Sequence, residues 1–321
     1  MTDRTITLEL INNFLEAISK NEEKVRNHIN TNRYQSSLIK NLSTWGQICS
    51  SLDVIGDTVS AISDYIHTEY PDNQGLKYIY TYGILQTLFL QQDAIASLTE
   101  AFGYPFKRSE ELIKIRDLRN AAIGHPTNQT IKGTAYHNYI SRMSMHKYGF
   151  TLLRSNGTGT NEFVDVDIAK IFVEQFKEIN YDIHQIATQL SEIDIMHKTL
   201  YKDNLLVDLF HSAIPYQFQK VIEGIHSSNS ANVQFALSML KGIQETYVSF
   251  KTALAVRGEL EPYLEYDLNT YERALQFLET YLLGQAAESS EHDARIYFEY
   301  LQEQHKRFIK IAQEIDEEYN E

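Results

Sequence analysis

An arginine, an asparagine and a histidine stand close together in the middle of the chain, and these side chains could cleave RNA without a metal. Asn120 follows Arg119 directly, and His125 comes six positions after the arginine, between Gly124 and Pro126. A guanidinium can hold phosphate charge, an amide can orient it, and an imidazole can transfer protons near neutral pH. An Arg-Asn pair with a histidine at this distance occurs once in the sequence.

The helix that must position this motif is predicted to begin after Ser109, which can cap it. Its apolar residues recur at helical spacing: Leu112, Ile115, Leu118 and Ala122. Arg116 precedes Asn120 by four positions, so both side chains are predicted on the less apolar flank together with Arg119.

The end of this helix is predicted at Gly124 in a left-handed conformation, since Pro126 cannot continue a helix. His125 would then be free to turn back toward Arg119 and Asn120. An alternative is that His125 only caps the helix by bonding its last carbonyls.

The distribution of charge favours an anionic partner near the motif. The net charge is −14, but residues 104–160 hold nine basic and three acidic side chains, a local charge of +6. Residues 258–321 hold 16 acidic and five basic side chains, or −11. The local charge, rather than the net charge, determines whether an anionic partner is attracted, because exposed charges more than about 10 Å apart are screened in ordinary salt. Arg116, Lys132, Arg142 and Lys147 are the predicted RNA-binding residues, although any acidic protein has some basic stretches.

The chain as a whole is predicted to be all-α, with helical spacing of apolar residues over most of its length. Helices are predicted at 76–102, 168–198, 205–225 (kinked at Pro215), 231–257, 262–283 and 292–318, after two apolar stripes nearer the N-terminus. A helical domain is expected at 1–200, with its core at about 75–200, and a helical C-terminal region of unknown role at 201–321.

A small β-meander is predicted as an insertion at about 138–166. Its three strands are Tyr139–His146, Phe150–Arg154 and Glu162–Val166, and the last two are joined through Asn156-Gly157, a strong hairpin signal. The meander could line a groove near the motif or serve as a structural flap.

Several other classes of function lack their sequence signals. No metal-binding spacing joins the 11 histidines, and neither a nucleophile elbow nor a phosphate-binding loop is present, so no cofactor and no metal are predicted. No apolar run reaches membrane-spanning length, and residues 1–9 carry no basic flank leading into a signal segment. A lone cysteine, Cys49, is expected to be a buried helical thiol in a cytoplasmic protein.

The motif Arg119-Asn120-x-x-x-x-His125, after a long apolar helix in a helical chain, resembles that of the HEPN superfamily (higher eukaryotes and prokaryotes nucleotide-binding). The resemblance covers roughly residues 75–200. It implies a four- or five-helix bundle that dimerises, so that two motifs meet in one cleft. It also implies metal-independent endoribonuclease activity in a toxin or antiviral-defence effector, with an antitoxin or regulatory partner protein.

By this resemblance Arg119 and His125 would be catalytic and Asn120 would support them. Some paired HEPN toxins carry a modifiable tyrosine two residues after the histidine, where this chain has Thr127. The expected reaction uses the 2′-hydroxyl of RNA as nucleophile. The alternatives are a catalytically inactive HEPN-like module that binds a nucleotide or a partner protein, and a structural helical adaptor.

Overall fold

The computed structural model describes residues 2–131, 133–157, 161–286 and 288–320, and most of these residues are helical. Two compact units share the chain: Met1–Asn30 with Leu38–Ser191, and Thr31–Ser37 with Glu192–Glu321. The sequence prediction divided the chain after residue 200 instead. The α-helices in the described residues are α1 (Thr2–Asn30), α2 (Asn32–Leu38), α3 (Leu42–His67), α4 (Gln74–Ala101), α5 (Glu110–Arg119), α6 (Ile168–Tyr201), α7 (Ile214–Ile225), α8 (Ser230–Arg257), α9 (Pro262–Leu282) and α10 (Glu291–Glu318).

The core of the first unit is formed by the apolar faces of α1, α3, α4 and α6. Helix α3 packs along α4 and α1, and α5 packs on α4. The predicted apolar stripes supply this core, since residues four or seven apart lie on one face of a helix. Fully buried examples are Ile11, Ile18, Ile48, Leu52, Ile55, Leu85, Leu88, Phe172 and Phe176.

Three glutamines are completely buried where α4 faces α6. The Gln92 amide donates to Gln175 Oε1 at 2.8 Å, and the Gln175 amide donates to Gln91 Oε1 at 2.9 Å and to the Leu88 carbonyl at 3.0 Å. Buried amides are costly unless they are hydrogen-bonded, so the network favours one register of α4 against α6. It thereby fixes the helix that carries part of the site described below.

The predicted β insertion is present, as a four-stranded antiparallel sheet between α5 and α6. Its strands are β1 (Gln129–Ile131), β2 (Thr134–Ile140), β3 (Gly149–Ser155) and β4 (Asn161–Asp167), in the order β1-β2-β3-β4. Gly157 has a φ of 74°, as expected in the connection between β3 and β4.

The first predicted strand, Tyr139–His146, is wrong in its bounds, and β1 was missed. The chain leaves the strand at Ser141, whose N–H donates to the Thr151 carbonyl, and a 3₁₀ turn follows at Arg142–Ser144. The Ser144 hydroxyl donates to the Ser141 carbonyl and accepts the Thr151 N–H. Such local serine bonds compete with strand pairing, which explains the early end of β2.

The second unit contains α7 to α10 around an aromatic core. Its largest buried side chains include Phe250, Tyr271 and Phe308. The predicted kinked helix at 205–225 is wrong: Pro215 lies in the first turn of α7, where its fixed φ suits a helix start, and only a short 3₁₀ turn at Val207–Leu209 precedes it. Ser290 caps α10 in a capping box, and Asn229 caps α8.

Among the described residues, every helix is too short or too polar to cross a lipid bilayer.

The buried His305 should make the second unit sensitive to acid. Its Nδ1 shares a 2.7 Å hydrogen bond with the Tyr247 hydroxyl, and burial lowers the pKa of His305 to about 4. In the unfolded chain the imidazole takes up its proton near pH 6.5. The contribution of neutral His305 to the free energy of unfolding is therefore complete above pH 6.5 and is lost as the pH falls toward 4. Urea unfolding should show a loss of up to about 3 kcal/mol across that range.

His305→Gln, which keeps an acceptor for Tyr247, should flatten this pH dependence, and the exposed His292→Gln should leave it unchanged. An unchanged slope in His305→Gln would assign the acid sensitivity to other groups.

Candidate functional site

The predicted catalytic motif lies where α5 gives way to a π-helical turn. Ser109 caps α5 as predicted, by accepting the Leu112 N–H at 3.3 Å. Residues Asn120–Gly124 then form a π-turn, which is closed by the His125 N–H donating to the Asn120 carbonyl at 2.7 Å. π-turns of this kind are uncommon and occur often at functional sites.

The predicted left-handed conformation of Gly124 is wrong. The helix ends through the π-turn, and among the described residues the glycines with positive φ are Gly103, Gly133, Gly157, Gly258 and Gly284. A glycine suits position 124 for a different reason, which is space. A Cβ atom there would lie 2.8 Å from Arg119 Nη1 and 3.1 Å from Asn120 Oδ1.

The guanidinium of Arg119 is held by two side chains and rests on a third. Its Nε and Nη2 donate to Gln86 Oε1 at 3.1 and 2.6 Å, and its Nη1 donates to Asn120 Oδ1 at 3.0 Å. The guanidinium carbon lies 4.5 Å from the centre of the Phe89 ring. The arginine is therefore oriented in advance, which lowers the cost of presenting it to a phosphate.

A second arginine contacts the same aromatic ring. The Arg116 guanidinium carbon lies 3.7 Å from the centre of the Phe89 ring, and its Nη1 is 2.8 Å from Asp93 Oδ1. Arg108 also pairs with Asp93, at 2.9 Å. The Asp93 carboxylate thus pairs with two guanidinium groups. Together with Arg119, these side chains carry a net positive charge, which favours an anionic ligand.

His125 is exposed, and its ring makes no hydrogen bond to any residue that the structure describes. His125 does cap the turn, through its backbone N–H to the Asn120 carbonyl, but its imidazole bonds none of the helix carbonyls that the structure describes. The predicted return of the ring to Arg119 and Asn120 is also not observed as a hydrogen bond. The ring is left available for a ligand.

The segment after His125 is anchored to strand β2. The Pro126 carbonyl accepts the Asn138 N–H at 2.7 Å, and His137 Nδ1 lies 2.6 Å from the Thr127 carbonyl. The β insertion therefore fixes the backbone on the far side of His125, while α5 fixes the near side.

The other three predicted RNA-binding residues differ in their surroundings. Arg142 is exposed on the 3₁₀ turn. The Lys147 ammonium donates to the carbonyls of Ile66 and Thr68 at 2.6 and 2.7 Å, so it caps the end of α3, and burial lowers its pKa. Lys132 lies outside the described residues.

Sequence reasoning missed the contribution of α4 to the site. Gln86, Phe89 and Asp93 follow one another at helical spacing and all contact the arginines. Phe89 lies in the helix predicted at 76–102, where an apolar residue indicates only a core position. Polar residues at 86 and 93, seven positions apart and therefore on one face of the helix, were the available signal.

In the part of the chain that the structure describes, no group of three or more His, Cys, Asp or Glu side chains could hold a metal ion. Comparison of the chain with protein-family models, with curated proteins and with solved structures finds no match.

Gly124→Ala should displace the Arg119 guanidinium without unfolding the protein. The added methyl group meets the flexible end of the arginine, which can move. The bonds from Arg119 to Gln86 and Asn120 should then weaken, and NMR should show faster solvent exchange of the Arg119 Nε–H.

Gly83→Ala on α4 is the matched control, because a Cβ at that position meets no atom within 4 Å. Unchanged exchange of the Arg119 Nε–H in Gly124→Ala would show that the π-turn has room for the methyl group.

Proposed function

We propose that this protein is a metal-independent endoribonuclease of HEPN type that acts as a toxin or antiviral-defence effector. The observation that carries the proposal is the pairing of an oriented guanidinium with an available imidazole. Arg119 is held by Gln86 and Asn120, and His125 stands exposed at the end of the same π-turn.

In the proposed reaction the 2′-oxygen of the RNA attacks the adjacent phosphorus, and the bond from phosphorus to the 5′-oxygen breaks. His125 takes the proton of the 2′-hydroxyl or gives one to the leaving 5′-oxygen, roles for which an imidazole is suited. Arg119 stabilises the charge that develops on the phosphoryl oxygens. DNA would not be cut, because it lacks the nucleophile.

Arg116 and Arg142 are the proposed contacts to the RNA backbone. Arg116 lies next to Arg119 above Phe89, and Arg142 is exposed. Lys147 would have to give up two backbone carbonyls to reach a phosphate, so a mainly structural role suits it better.

A homodimer through the outer face of α4 is part of the proposal. Leu76, Ile79, Tyr82 and Leu90 are each at least 40% exposed and follow one face of α4 that also contains Gln86. An exposed apolar stripe of this kind is typical of an interaction surface. A twofold contact along it would bring the two Gln86–Arg119 pairs toward the same cleft.

A catalytically inactive module that binds a nucleotide is the second candidate. The observation that favours it is the number of intramolecular partners of Arg119, which already holds Gln86, Asn120 and Phe89. RNA cleavage in EDTA distinguishes the two candidates.

Substitution of the motif should abolish RNA cleavage while the fold survives. His125→Ala should lower the rate by about 10²–10⁴-fold because proton transfer is lost. Arg119→Ala should lower it by about 10²–10³-fold because charge stabilisation is lost, and Asn120→Ala should cost less. The measurement is cleavage of a labelled RNA in EDTA, together with growth of cells that express each variant.

His292→Ala, an exposed histidine on α10, serves as the matched control and should keep full activity. If activity falls only in variants that also lose their thermal transition, Arg119 and His125 are structural residues and the proposal fails.

Negative charge introduced into the exposed apolar stripe of α4 should separate the proposed dimer into monomers. Ile79→Asp with Leu90→Asp should give a monomer by light scattering and should lower cleavage, while Ile195→Asp, equally exposed on α6, should not. Mixing equal amounts of wild-type and His125→Ala protomers should leave about a quarter of the dimers fully wild-type, so activity should fall below simple dilution. Full activity per site in a monomeric preparation would contradict the composite cleft.

A further inference from the structure

Strand β4 forms one edge of the sheet in the first unit, and its outer side is open. The strand order β1-β2-β3-β4 places it last, and it pairs with β3 over all seven of its residues, Asn161–Asp167. On its other side, its backbone forms no hydrogen bond with the backbone of any strand or loop that the structure describes. Such an edge presents a row of N–H and C=O groups with which another strand can pair.

The β4 edge lacks the features that usually prevent such pairing. The strand contains neither proline nor a basic side chain, and its one-to-one register with β3 has no bulge. It is also long, whereas β1 at the opposite edge has three residues. Short strands, lysines, prolines and bulges are the common means of protecting an edge, so β4 is suited to accept a further strand.

An apolar row crosses the outer face of the sheet and ends at this edge. Tyr139, Leu153 and Phe163 lie directly opposite one another on β2, β3 and β4. Neighbouring residues such as Leu152 pack against the core, so the alternation of side chains places the row on the other face. Phe163 is 71% exposed and Tyr139 is 58% exposed. An apolar side chain of an added strand would lie next to Phe163 and continue the row.

The carboxylates of β4 determine the charge of a suitable partner. Glu162, Asp165 and Asp167 are exposed, and none of them forms an ion pair with a residue that the structure describes. Arg154 stands opposite Glu162 in the register but donates to Asn138 instead. A second copy of β4 would place six carboxylates, three from each copy, on two adjacent strands, and like charges on adjacent strands are destabilising. The charges therefore favour a strand that carries lysine or arginine.

We propose that β4 binds an extended, basic segment of a partner protein by β-strand addition, with an apolar side chain beside Phe163 and a basic side chain beside Asp165. The open edge supplies the backbone hydrogen bonds, and the apolar row and the carboxylates select the side chains. Neither Arg119 nor His125 takes part, so the inference does not depend on the proposed function.

Fluorescence anisotropy of the full-length protein with a labelled synthetic peptide tests the proposal. The probe is Lys-Val-Lys-Val-Ile-Lys-Thr, which in antiparallel register puts lysine opposite each carboxylate of β4 and isoleucine opposite Phe163. It should bind saturably, and NMR should place the amide shift changes on residues 161–167. One control peptide has glutamate in place of the lysines, and another has proline in place of both valines. Each should bind at least about tenfold more weakly, since the first is repelled and the second cannot pair along the edge.

Glu162→Lys with Asp165→Lys should reverse the preference, so that the glutamate peptide binds more tightly than the lysine peptide. Glu9→Lys with Asp57→Lys, which changes exposed carboxylates on α1 and α3, is the matched control and should bind as the wild type does.

The proposal is overturned if the lysine peptide shows no saturable binding at millimolar concentration. Equal affinity for the proline peptide overturns it too, because binding would then depend on charge alone. Unchanged affinity in the Glu162→Lys, Asp165→Lys variant would place the binding elsewhere. A single-stranded RNA that displaces the peptide from β4 would assign this edge to nucleic acid and likewise overturn the proposal.

Discussion

The side-chain oxygen of Gln86 orients the Arg119 guanidinium together with Asn120 and the Phe89 ring, and it is the acceptor that joins the candidate site to α4. It receives two N–H groups of the arginine, at 3.1 and 2.6 Å, and so joins the end of α5 to α4. Helix α4 is itself fixed by the buried amides of Gln91, Gln92 and Gln175. The guanidinium is thus supported by a rigid pair of helices, although Arg119 stands at the last position of α5. Such support is what a preorganised phosphate-binding group requires.

Counting charges along the chain overstates the positive field that a polyanion would meet. Residues 104–160 carry a charge of +6. In the folded chain Lys147 is bound to backbone carbonyls, and Arg108 and Arg116 share Asp93, which lies on α4 outside the counted segment. A basic side chain that is paired with a carboxylate adds less to the electrostatic field at a distant ligand than an unpaired one does. The local positive charge around Arg119 in the folded chain is therefore smaller than the count along the sequence.

The sequence predicted the mainly helical fold and the position of the β insertion because both depend on short-range patterns. Apolar residues at helical spacing mark α3, α4 and α6, and Ser109, Ser290 and Pro262 mark helix starts through local geometry. The missed features depend on contacts between distant parts of the chain. Strand β1 exists because it pairs with β2, and its three residues carry no periodic signal of their own.

The site could be predicted only in part for the same reason. Arg119, Asn120 and His125 are adjacent in sequence, so a motif finds them. Gln86 is 33 positions earlier, and no local rule joins it to Arg119. The hydrogen bond from Asn138 of β2 to the Pro126 carbonyl is likewise a contact that no local rule predicts. Spacing alone therefore suggests a motif but cannot indicate the side chains that orient it.

The π-turn at Asn120–Gly124 also bears on how such a site could arise. A π-turn contains one more residue than an α-helical turn, so it is what a helix becomes when a single residue is inserted and the flanking packing is kept. Helix α5 keeps its buried face through Ile115, while everything after the turn is rotated relative to that face. A one-residue change in length thus takes the histidine out of the α-helical register and leaves it exposed. The length of this one turn sets the position of His125, whereas Leu112 and Ile115 set the packing of α5, so either could change in sequence while the other is retained.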